Sequence, residues 1–264
     1  METPKPVQPE TTCTPKISVI MPAYNAERTI GASINSIASQ SFLDWELIIV
    51  NDCSTDGTAA IVNERAAKDP RIHVCHAKKN QGIAATRNLA LELAQGEWVA
   101  FLDSDDLWHE EKLDKQLRFL EESVAVISYT ATAYMDEDGR MSGYVLPAVE
   151  KLSYKTLMRR NIMSCSSVMV HRDVMIPFPL AANTHEDYVV WLKIVRDVGC
   201  AVGLDEPLLV YRVSKGSISA GRRRSAVMTY NAYRQVGYGG FMSFVLMLRY
   251  SFHSITKRFL IRRG

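Results

Sequence analysis

Four short apolar segments, separated by stretches with helical periodicity, constrain the fold of this 264-residue chain most strongly. They are ISVIM (17–21), WELIIV (45–50), IHVCH (72–76) and EWVAFL (97–102). Continuous apolar runs of this length are typical of strands that are buried on both faces of a parallel sheet. Between them, apolar residues recur at spacings of three and four, as at Ile30, Ile34 and Ile37, which predicts helices. The order βαβαβαβ favours a doubly wound α/β fold on a mostly parallel sheet.

After about residue 124 the pattern changes to elements of mixed type. In chain order we predict a strand at 124–136, a hairpin turn at Asp138–Gly139, a helix at 153–160, a strand at 166–170, a helix at 186–198 and a strand at 208–213. We expect antiparallel strands and helices here to extend the first sheet. Because no Pro- or Gly-rich linker separates the two halves, we expect one composite domain.

Composition and length exclude several classes of protein. With 47% hydrophobic and 23% charged residues, the chain is globular rather than disordered or fibrous. No stretch reaches the roughly 18–20 apolar residues that a membrane-spanning helix needs. Residues 1–15 lack the apolar segment of a signal peptide and predict a disordered leader. The five scattered cysteines fit neither a zinc site nor a disulfide framework, which favours a reducing, cytosolic environment.

Charge is distributed unevenly along the chain. Residues 1–206 hold 20 Lys and Arg and all 29 Asp and Glu, a formal charge of −9, whereas residues 207–264 hold 11 Lys and Arg and no acid. A basic end on an acidic body favours contact with an anionic surface.

The last segment of the chain has the periodicity of an amphipathic helix. Its apolar residues Val245, Leu248, Phe252, Ile255 and Phe259 recur by threes and fours among basic residues. We predict a helix that lies in the plane of an anionic membrane surface. The alternatives are packing on the rest of the chain or on a second copy. The segment is too apolar to favour nucleic acid.

Acidic residues stand directly after the fourth apolar run, as Asp103-Ser104-Asp105. In open parallel sheets, ligands bind at the carboxyl ends of strands. Two carboxylates at such an end can reach one cation, and Mg²⁺ or Mn²⁺ is often held by one or two carboxylates plus substrate phosphates. The alternative is a solvated loop in which Asp106 caps the next helix.

Two further charged residues, Asp52 and Arg87, are candidates for ligand binding. Asp52 follows the second apolar run, where it predicts a carboxylate that bonds a base or a ribose; turn chemistry is the alternative. Arg87, in the third predicted helix, either neutralises a phosphate, braces the acidic loops or lies on the surface. No Gly-rich phosphate loop of the dinucleotide or P-loop type occurs, which disfavours those enzyme classes.

Six motifs occur in order along the chain: PAYNA (22–26), DCSTDGT (52–58), GIAATRN (82–88), FLDSDD (101–106), HEDYVVWL (185–192) and YRVSKGSIS (211–219). Together they resemble the family-2 glycosyltransferases of the GT-A fold, in particular bacterial enzymes that build O-antigen, capsule or teichuronic-type polysaccharides. The resemblance implies a GT-A catalytic domain at 16–220, with a nucleotide-sugar half at 16–123 and an acceptor half at 124–220. A leader at 1–15 and a basic, membrane-associating tail at 221–264 would flank it.

The resemblance also assigns a nucleotide pocket. Pro22, Ala23 and Tyr24 are expected to line it. Asp52 is expected to bind uracil, and Arg87 to lie near the nucleotide or its loops.

The same resemblance assigns a metal and diphosphate region. Asp103 is expected to approach the ribose and the metal, with Ser104 beside it on the donor side. Asp105 is expected to be the main ligand of Mn²⁺ or Mg²⁺. Arg212 and Lys215 are expected on a flexible loop near the diphosphate.

The acceptor side follows from the motif at the start of the predicted helix at 186–198. In the resembling family the Asp of this Glu-Asp pair is the usual catalytic base, which implies that role for Asp187. Glu186 and Trp191 are expected to shape the acceptor site. Helix-terminal acids at 186 and 187 and a core tryptophan at 191 are the alternatives.

The implied activity is transfer of a sugar, namely Glc, Gal or an N-acetylhexosamine, with inversion at its anomeric carbon. The expected donor is a UDP-sugar, and the expected acceptor is an undecaprenyl-diphosphate-linked glycan at the cytoplasmic face of the plasma membrane. A nucleotidyltransferase and a non-catalytic nucleotide-sugar binding protein are the alternatives. We expect no nucleic-acid partner.

Overall fold

The computed structural model describes residues 14–213 and 222–263, with the side chains of residues 14–213 and 223–251. Its strands are β1 Ile17–Ala23, β2 Trp45–Asn51, β3 Ile72–His76, β4 Trp98–Phe101, β5 Leu107–Trp108, β6 Ile127–Asp136, β7 Met141–Leu146, β8 Lys151–Ser153, β9 Met169–His171 and β10 Cys200–Val213. Its helices are α1 Ile30–Ala38, α2 Thr58–Lys68, α3 Ile83–Leu93, α4 Lys112–Glu122, α5 Tyr154–Arg159, α6 Glu186–Val198, α7 Arg222–Gln235 and α8 Gly240–Arg263.

Within the described residues the strands form one mixed sheet, in the order β3-β2-β1-β4-β9-β6-β10-β5, with β7 paired to β6 and β8 to β10. Strands β1–β4 are parallel, as their apolar runs predict. Strand β9 joins the two halves by pairing antiparallel with β4 and β6. The α/β fold on a mostly parallel first half is therefore confirmed.

The expectation of antiparallel strands in the second half is wrong for its longest pair. Strands β6 and β10 run parallel, with an irregularity in the pairing between Leu204 and Leu209. A parallel pair needs a long crossover, and the chain between them contains α6. The predicted strand at 208–213 is only the second part of β10.

Helices cover both faces of the sheet. On one face, α1, α2 and α4 pack against Val19, Met21 and Leu47. On the other, α3, α5, α6 and α7 pack against Ile20, Ile48 and their neighbours. Successive residues of β1 therefore enter opposite cores, which is why the strand is apolar apart from Ser18.

The predicted tail begins inside the fold rather than outside it. Ala232 and Tyr233 of α7 are fully buried in the core that α6 lines, and the ring of Tyr233 packs edge-on against that of Tyr188. The boundary at residue 220 therefore does not separate a tail from the body. Among the described helices, including the 24-residue α8, none combines the length and the apolar character of a membrane span.

Candidate active site

A cleft of 1550 Å³ opens at the carboxyl ends of β1, β2 and β4. Most of the predicted site residues line it: Pro22, Tyr24, Asp52, Arg87, Asp103, Ser104, Asp105, Glu186, Asp187 and Arg212. Ala23 is buried beside Pro22 at the end of β1 and is not part of the lining. Lys215 lies outside the described residues. Motifs that are distant in sequence thus meet in one cavity.

The acidic loop after β4 is held rigidly, and it is not a solvated helix cap. Asp106 is 1% exposed, and α4 begins only at Lys112, so the capping alternative is wrong. One Asp106 carboxylate oxygen accepts the backbone N–H of Arg212 at 2.9 Å. The Asp103 N–H is bonded to the Ser166 hydroxyl at 3.1 Å. These contacts direct the side chains of residues 103 and 105 into the cleft.

Asp105 lies in an environment that disfavours its ionised form. Burial, together with the nearby charge of Asp103, raises the pKa of its carboxyl to about 6. A cation bound to Asp105 and Asp103 would favour the ionised form of Asp105. Within the described residues no group of three or more His, Cys, Asp or Glu side chains is arranged to hold a metal ion. A cation held by Asp103 and Asp105 would therefore need its remaining ligands from oxygens outside this set of side chains.

Arg87 connects the two halves of the cleft. Its side chain is only 2% exposed, so the alternative that it lies on the surface is wrong. Its Nη2 donates to Asp103 Oδ1 at 2.6 Å, and its Nη1 donates to Glu186 Oε1 at 2.8 Å. A guanidinium can serve two carboxylates at once because its donors are fixed in a planar fork. The acidic loop of one half is therefore tied to the start of α6 in the other.

Glu186 and Asp187 form the first turn of α6. Burial raises the pKa of the Asp187 carboxyl, and the Arg87 cation opposes that shift. Burial and the charge of Asp187 raise the pKa of Glu186 as well. One Asp187 oxygen accepts the N–H of Tyr188 at 2.7 Å, which fixes the carboxyl at the cleft wall. Carboxyls with raised pKa values in a cleft are candidates for proton transfer.

The expectation that Trp191 shapes the acceptor site by contact is wrong. Its side chain is 0% exposed, and its ring packs edge-on against Phe101 and Phe178. It is therefore a core residue on the buried face of α6, as helical spacing alone allows. Its burial holds the helix that carries Glu186 and Asp187 in place.

Asp52 sits at the end of β2 and organises the loop before α3. Its two carboxylate oxygens accept the backbone N–H groups of Gln81 and Gly82, each at 2.9 Å. Gly82 has a φ of +83°, a backbone conformation that favours glycine. The Asp52 side chain is buried, but it also lines the cleft. It therefore stabilises a turn, as one alternative predicted, and it borders the space that a ligand would occupy.

Arg212 lies at the end of β10, not on a flexible loop as expected. Its Nε donates to the Asp105 carbonyl at 2.9 Å, which places its guanidinium next to the acidic loop.

The cleft also contains residues that sequence reasoning missed. The segment 179–184 and the α7 residues Arg224 and Met228 line it. The segment 179–184 has no periodicity and no charge that could mark it as part of a site. Arg224 belongs to a run of basic residues that the sequence analysis assigned to the tail.

Sequence comparison identifies the family of the chain. Residues 18–174, more than half of the chain, match the profile of glycosyl transferase family 2. The chain belongs to this family. This glycosyltransferase is 38% identical to TuaG of Bacillus subtilis, named as a teichuronic acid biosynthesis glycosyltransferase, over 92% of its own length and 98% of the relative's. Membership of the family excludes the nucleotidyltransferase alternative.

A second relative has a name that specifies its substrates. It is the Escherichia coli UDP-Glc:α-D-GlcNAc-diphosphoundecaprenol β-1,3-glucosyltransferase WfgD, with 34% identity over 78% of this glycosyltransferase and 80% of the relative.

Solved structures show the same fold. Staphylococcus aureus TarS in complex with UDP-GlcNAc superposes with a TM-score of 0.69 at 23% identity, over 89% of this glycosyltransferase and 71% of TarS. The mannosyltransferase PcManGT of Pyrobaculum calidifontis, in complex with GDP-Man and Mn²⁺, gives 0.68 at 20% identity, over 99% and 76% of the two chains. The GT-A fold is confirmed.

Proposed function

We propose that this enzyme transfers a hexose or an N-acetylhexosamine from a UDP-sugar to a polyprenyl-diphosphate-linked glycan, with inversion at the anomeric carbon. The observation that carries the proposal is the bridge from Asp103 through Arg87 to Glu186. It holds the acidic loop expected to face the donor beside the carboxyl expected to face the acceptor. Relatives such as WfgD, whose name specifies both substrates, support the two substrate classes.

The donor side of the proposal assigns the nucleotide to the strand ends. Pro22, Tyr24 and Asp52 line the part of the cleft where the nucleotide would bind. Asp103 and Asp105 would hold Mn²⁺ or Mg²⁺ together with oxygens of the donor diphosphate. When bound, the cation would stabilise negative charge on the departing diphosphate. The Mn²⁺ in the complex of PcManGT with GDP-Man supports a divalent ion in this fold.

The acceptor side of the proposal assigns the proton transfer to Asp187. Its carboxylate takes the proton of an acceptor hydroxyl while that oxygen forms a bond to the anomeric carbon. The bond from the anomeric carbon to the donor diphosphate breaks on the opposite face, and UDP leaves with the electron pair. A single displacement of this kind inverts the configuration of the sugar.

We also propose that α8 places the enzyme on an anionic membrane surface on the cytoplasmic side. Leu246, Met247 and Tyr250 pack against the core, whereas Phe244 and Leu248 are 49% and 52% exposed. No acidic residue follows Glu206 in the sequence, so every charged residue of α8 is basic. Apolar burial in the interface and attraction to anionic headgroups act together in such helices.

The substrate assignment is tested by screening UDP-sugars with a polyprenyl-diphosphate GlcNAc acceptor and analysing product mass. Transfer from at least one UDP-sugar is expected, with loss of activity in EDTA and recovery on adding Mn²⁺ or Mg²⁺. Full activity in EDTA would exclude the metal. Transfer from a GDP-sugar alone would exclude the UDP assignment.

The membrane assignment is tested by co-sedimentation of the full chain with vesicles that contain phosphatidylglycerol. Replacing Phe244 and Leu248 with Ser should reduce the bound fraction several-fold. The matched control replaces Leu43 and Leu93 with Ser, since these are 68% and 45% exposed on other elements. Equal binding of both variants, or no binding of the wild type at low salt, would contradict the proposal.

A further inference from the structure

One wall of the cleft carries the guanidinium of Arg224, which has no role in the proposed donor site. Arg224 and Met228 of α7 line the cleft together with the segment from Pro179 to Asn183. This wall has a different chemistry from the acidic strand ends, because it combines an exposed guanidinium with small and apolar side chains. Leu180, for example, is 71% exposed at the cleft.

The helical register of α7 shows which half of the molecule this wall belongs to. Arg224, Met228 and Asn231 are spaced by four and three residues and share one face of the helix. Asn231 Nδ2 donates to the Asn183 carbonyl at 2.9 Å. That face of α7 therefore packs against the segment that leads directly into Glu186 at the start of α6.

A second set of contacts fixes α7 against the acceptor half. The Tyr233 hydroxyl donates to the Met158 carbonyl at 2.5 Å, and it lies 3.4 Å from the hydroxyl of Tyr188. Tyr188 directly follows Asp187 in α6. The base and Arg224 are thus carried by two helices that are bonded to each other, independently of the strand ends.

The charge of Arg224 is suited to an anion. Its side chain is exposed, and no acid follows Glu206 in the sequence, so none of its neighbours along the chain carries a negative charge. A guanidinium binds phosphate oxygens through two parallel hydrogen bonds.

We infer that Arg224 binds the diphosphate group of the acceptor, and that the segment from Pro179 to Asn183 contacts the adjoining sugar and lipid. The inference rests on the proposed function, since it requires an acceptor that carries a diphosphate. Arg224 is a substrate-binding residue in this account and takes no part in bond breaking. The diphosphate of the donor is the other possible source of the same chemistry, and the experiment separates the two.

The test compares two acceptors that have the same sugar and alkyl chain, one joined by a diphosphate and the other by a neutral ether. Full-length wild type, Arg224→Gln and Arg224→Lys are assayed with both. Arg223→Gln is the matched control, because Arg223 is the exposed neighbour on α7 that does not line the cleft. UDP affinity and acceptor-independent hydrolysis of the UDP-sugar are measured for each variant.

For Arg224→Gln we expect KM for the diphosphate acceptor to rise about tenfold, as for a lost charge-assisted hydrogen bond, with partial recovery in Arg224→Lys. KM for the ether acceptor, UDP affinity and hydrolysis should stay unchanged, as should all values for Arg223→Gln. Equal effects on both acceptors, or weaker UDP binding, would overturn the inference. Failure of the wild type to transfer to either acceptor, despite donor hydrolysis, would instead overturn the proposed function.

Discussion

Arg87 is a buried cation shared by two carboxylates from different elements, Asp103 after β4 and Glu186 at the start of α6. Desolvating three charges costs free energy that only close, well-oriented pairing offsets. Because such a cluster is a weak source of stability, we expect its main effect to be on geometry. Small displacements of Arg87 should therefore affect catalysis more than folding.

Arg87→Lys tests this expectation. The lysine keeps the charge but replaces the planar fork with a single ammonium, which cannot hold both carboxylates in the same geometry. We expect kcat to fall about 10- to 100-fold, as for the loss of one charge-assisted hydrogen bond. Arg172→Lys is the control, since Arg172 bonds backbone carbonyls of residues 94 and 95 away from the cleft. A wild-type kcat in Arg87→Lys would contradict the positioning role.

The raised pKa of Asp187 predicts where activity is lost in acid. A base acts only when ionised, and protonation removes it as the pH falls through its pKa. Because burial raises that pKa, the acid limb of kcat should lie above the ordinary Asp value of about 3.9. The profile is measured at saturating metal and donor, so that it reports the bound enzyme. An acid limb at or below the ordinary value would contradict control of this limb by a carboxyl with a raised pKa.

At the scale of single elements, the close approach of α3's end to β1 depends on Gly96. A Cβ on this residue would lie 2.5 Å from the Ser18 nitrogen and 2.8 Å from the Ile17 carbonyl carbon. The Gly96 N–H also bonds the Ser18 hydroxyl, which in turn bonds Glu46. This buried network joins the first two strands to the turn that leads into β4.

Gly96→Ala should therefore lower the free energy of unfolding by about 1–3 kcal/mol, as overpacking does. Gly31→Ala is the matched control, because its Cβ would have no neighbour closer than 4.0 Å and it lies within α1. There the added methyl should raise stability by about 0.5–1 kcal/mol through helix propensity. Urea unfolding followed by circular dichroism measures both changes. Equal stability of the two variants would show that the approach at Gly96 relaxes freely.

The sequence predicts the first half of the fold better than the second for a physical reason. Strands β1, β2 and β4 are buried on both faces, so each is a short apolar run that local pattern reveals, whereas the edge strand β3 is only partly buried. Strand β10 is interrupted by Asp205, Glu206 and Pro207, where its pairing with β6 shifts. Its parallel partnership depends on a crossover through α6, which no local pattern encodes.

Some residues of the candidate site could be predicted from the sequence, and others could not. Residues after strand ends are brought together by topology, so Asp52, Asp103 and Asp105 could be predicted to meet. Trp191 could not be placed, because helical spacing does not distinguish a cleft face from a core face. Arg224 could not be found either, since its neighbours in sequence point to a membrane and only the packing of α7 turns it toward the cleft.

At the scale of the whole molecule, the cleft lies between two halves that share one sheet, with β9 as the strand between them. Acidic groups lie at the strand ends and at the start of α6, and Arg224 of α7 lines another part of the same cleft. In the proposed function, donor and acceptor would bind at different walls of this cleft. The exposed apolar residues of α8 form a separate surface, to which the proposal assigns the membrane.

The most direct test of the account is the configuration of the product made by wild type and by Asp187→Asn. Each is incubated with the UDP-sugar and the polyprenyl-diphosphate acceptor, and the new linkage is analysed by NMR. We expect the wild type to invert the anomeric carbon. Asp187→Asn should bind UDP and keep at least the wild-type melting temperature at neutral pH, because it removes a buried charge, yet lose about 10²–10⁴-fold in kcat. Retention of configuration, or wild-type turnover by Asp187→Asn, would contradict the account.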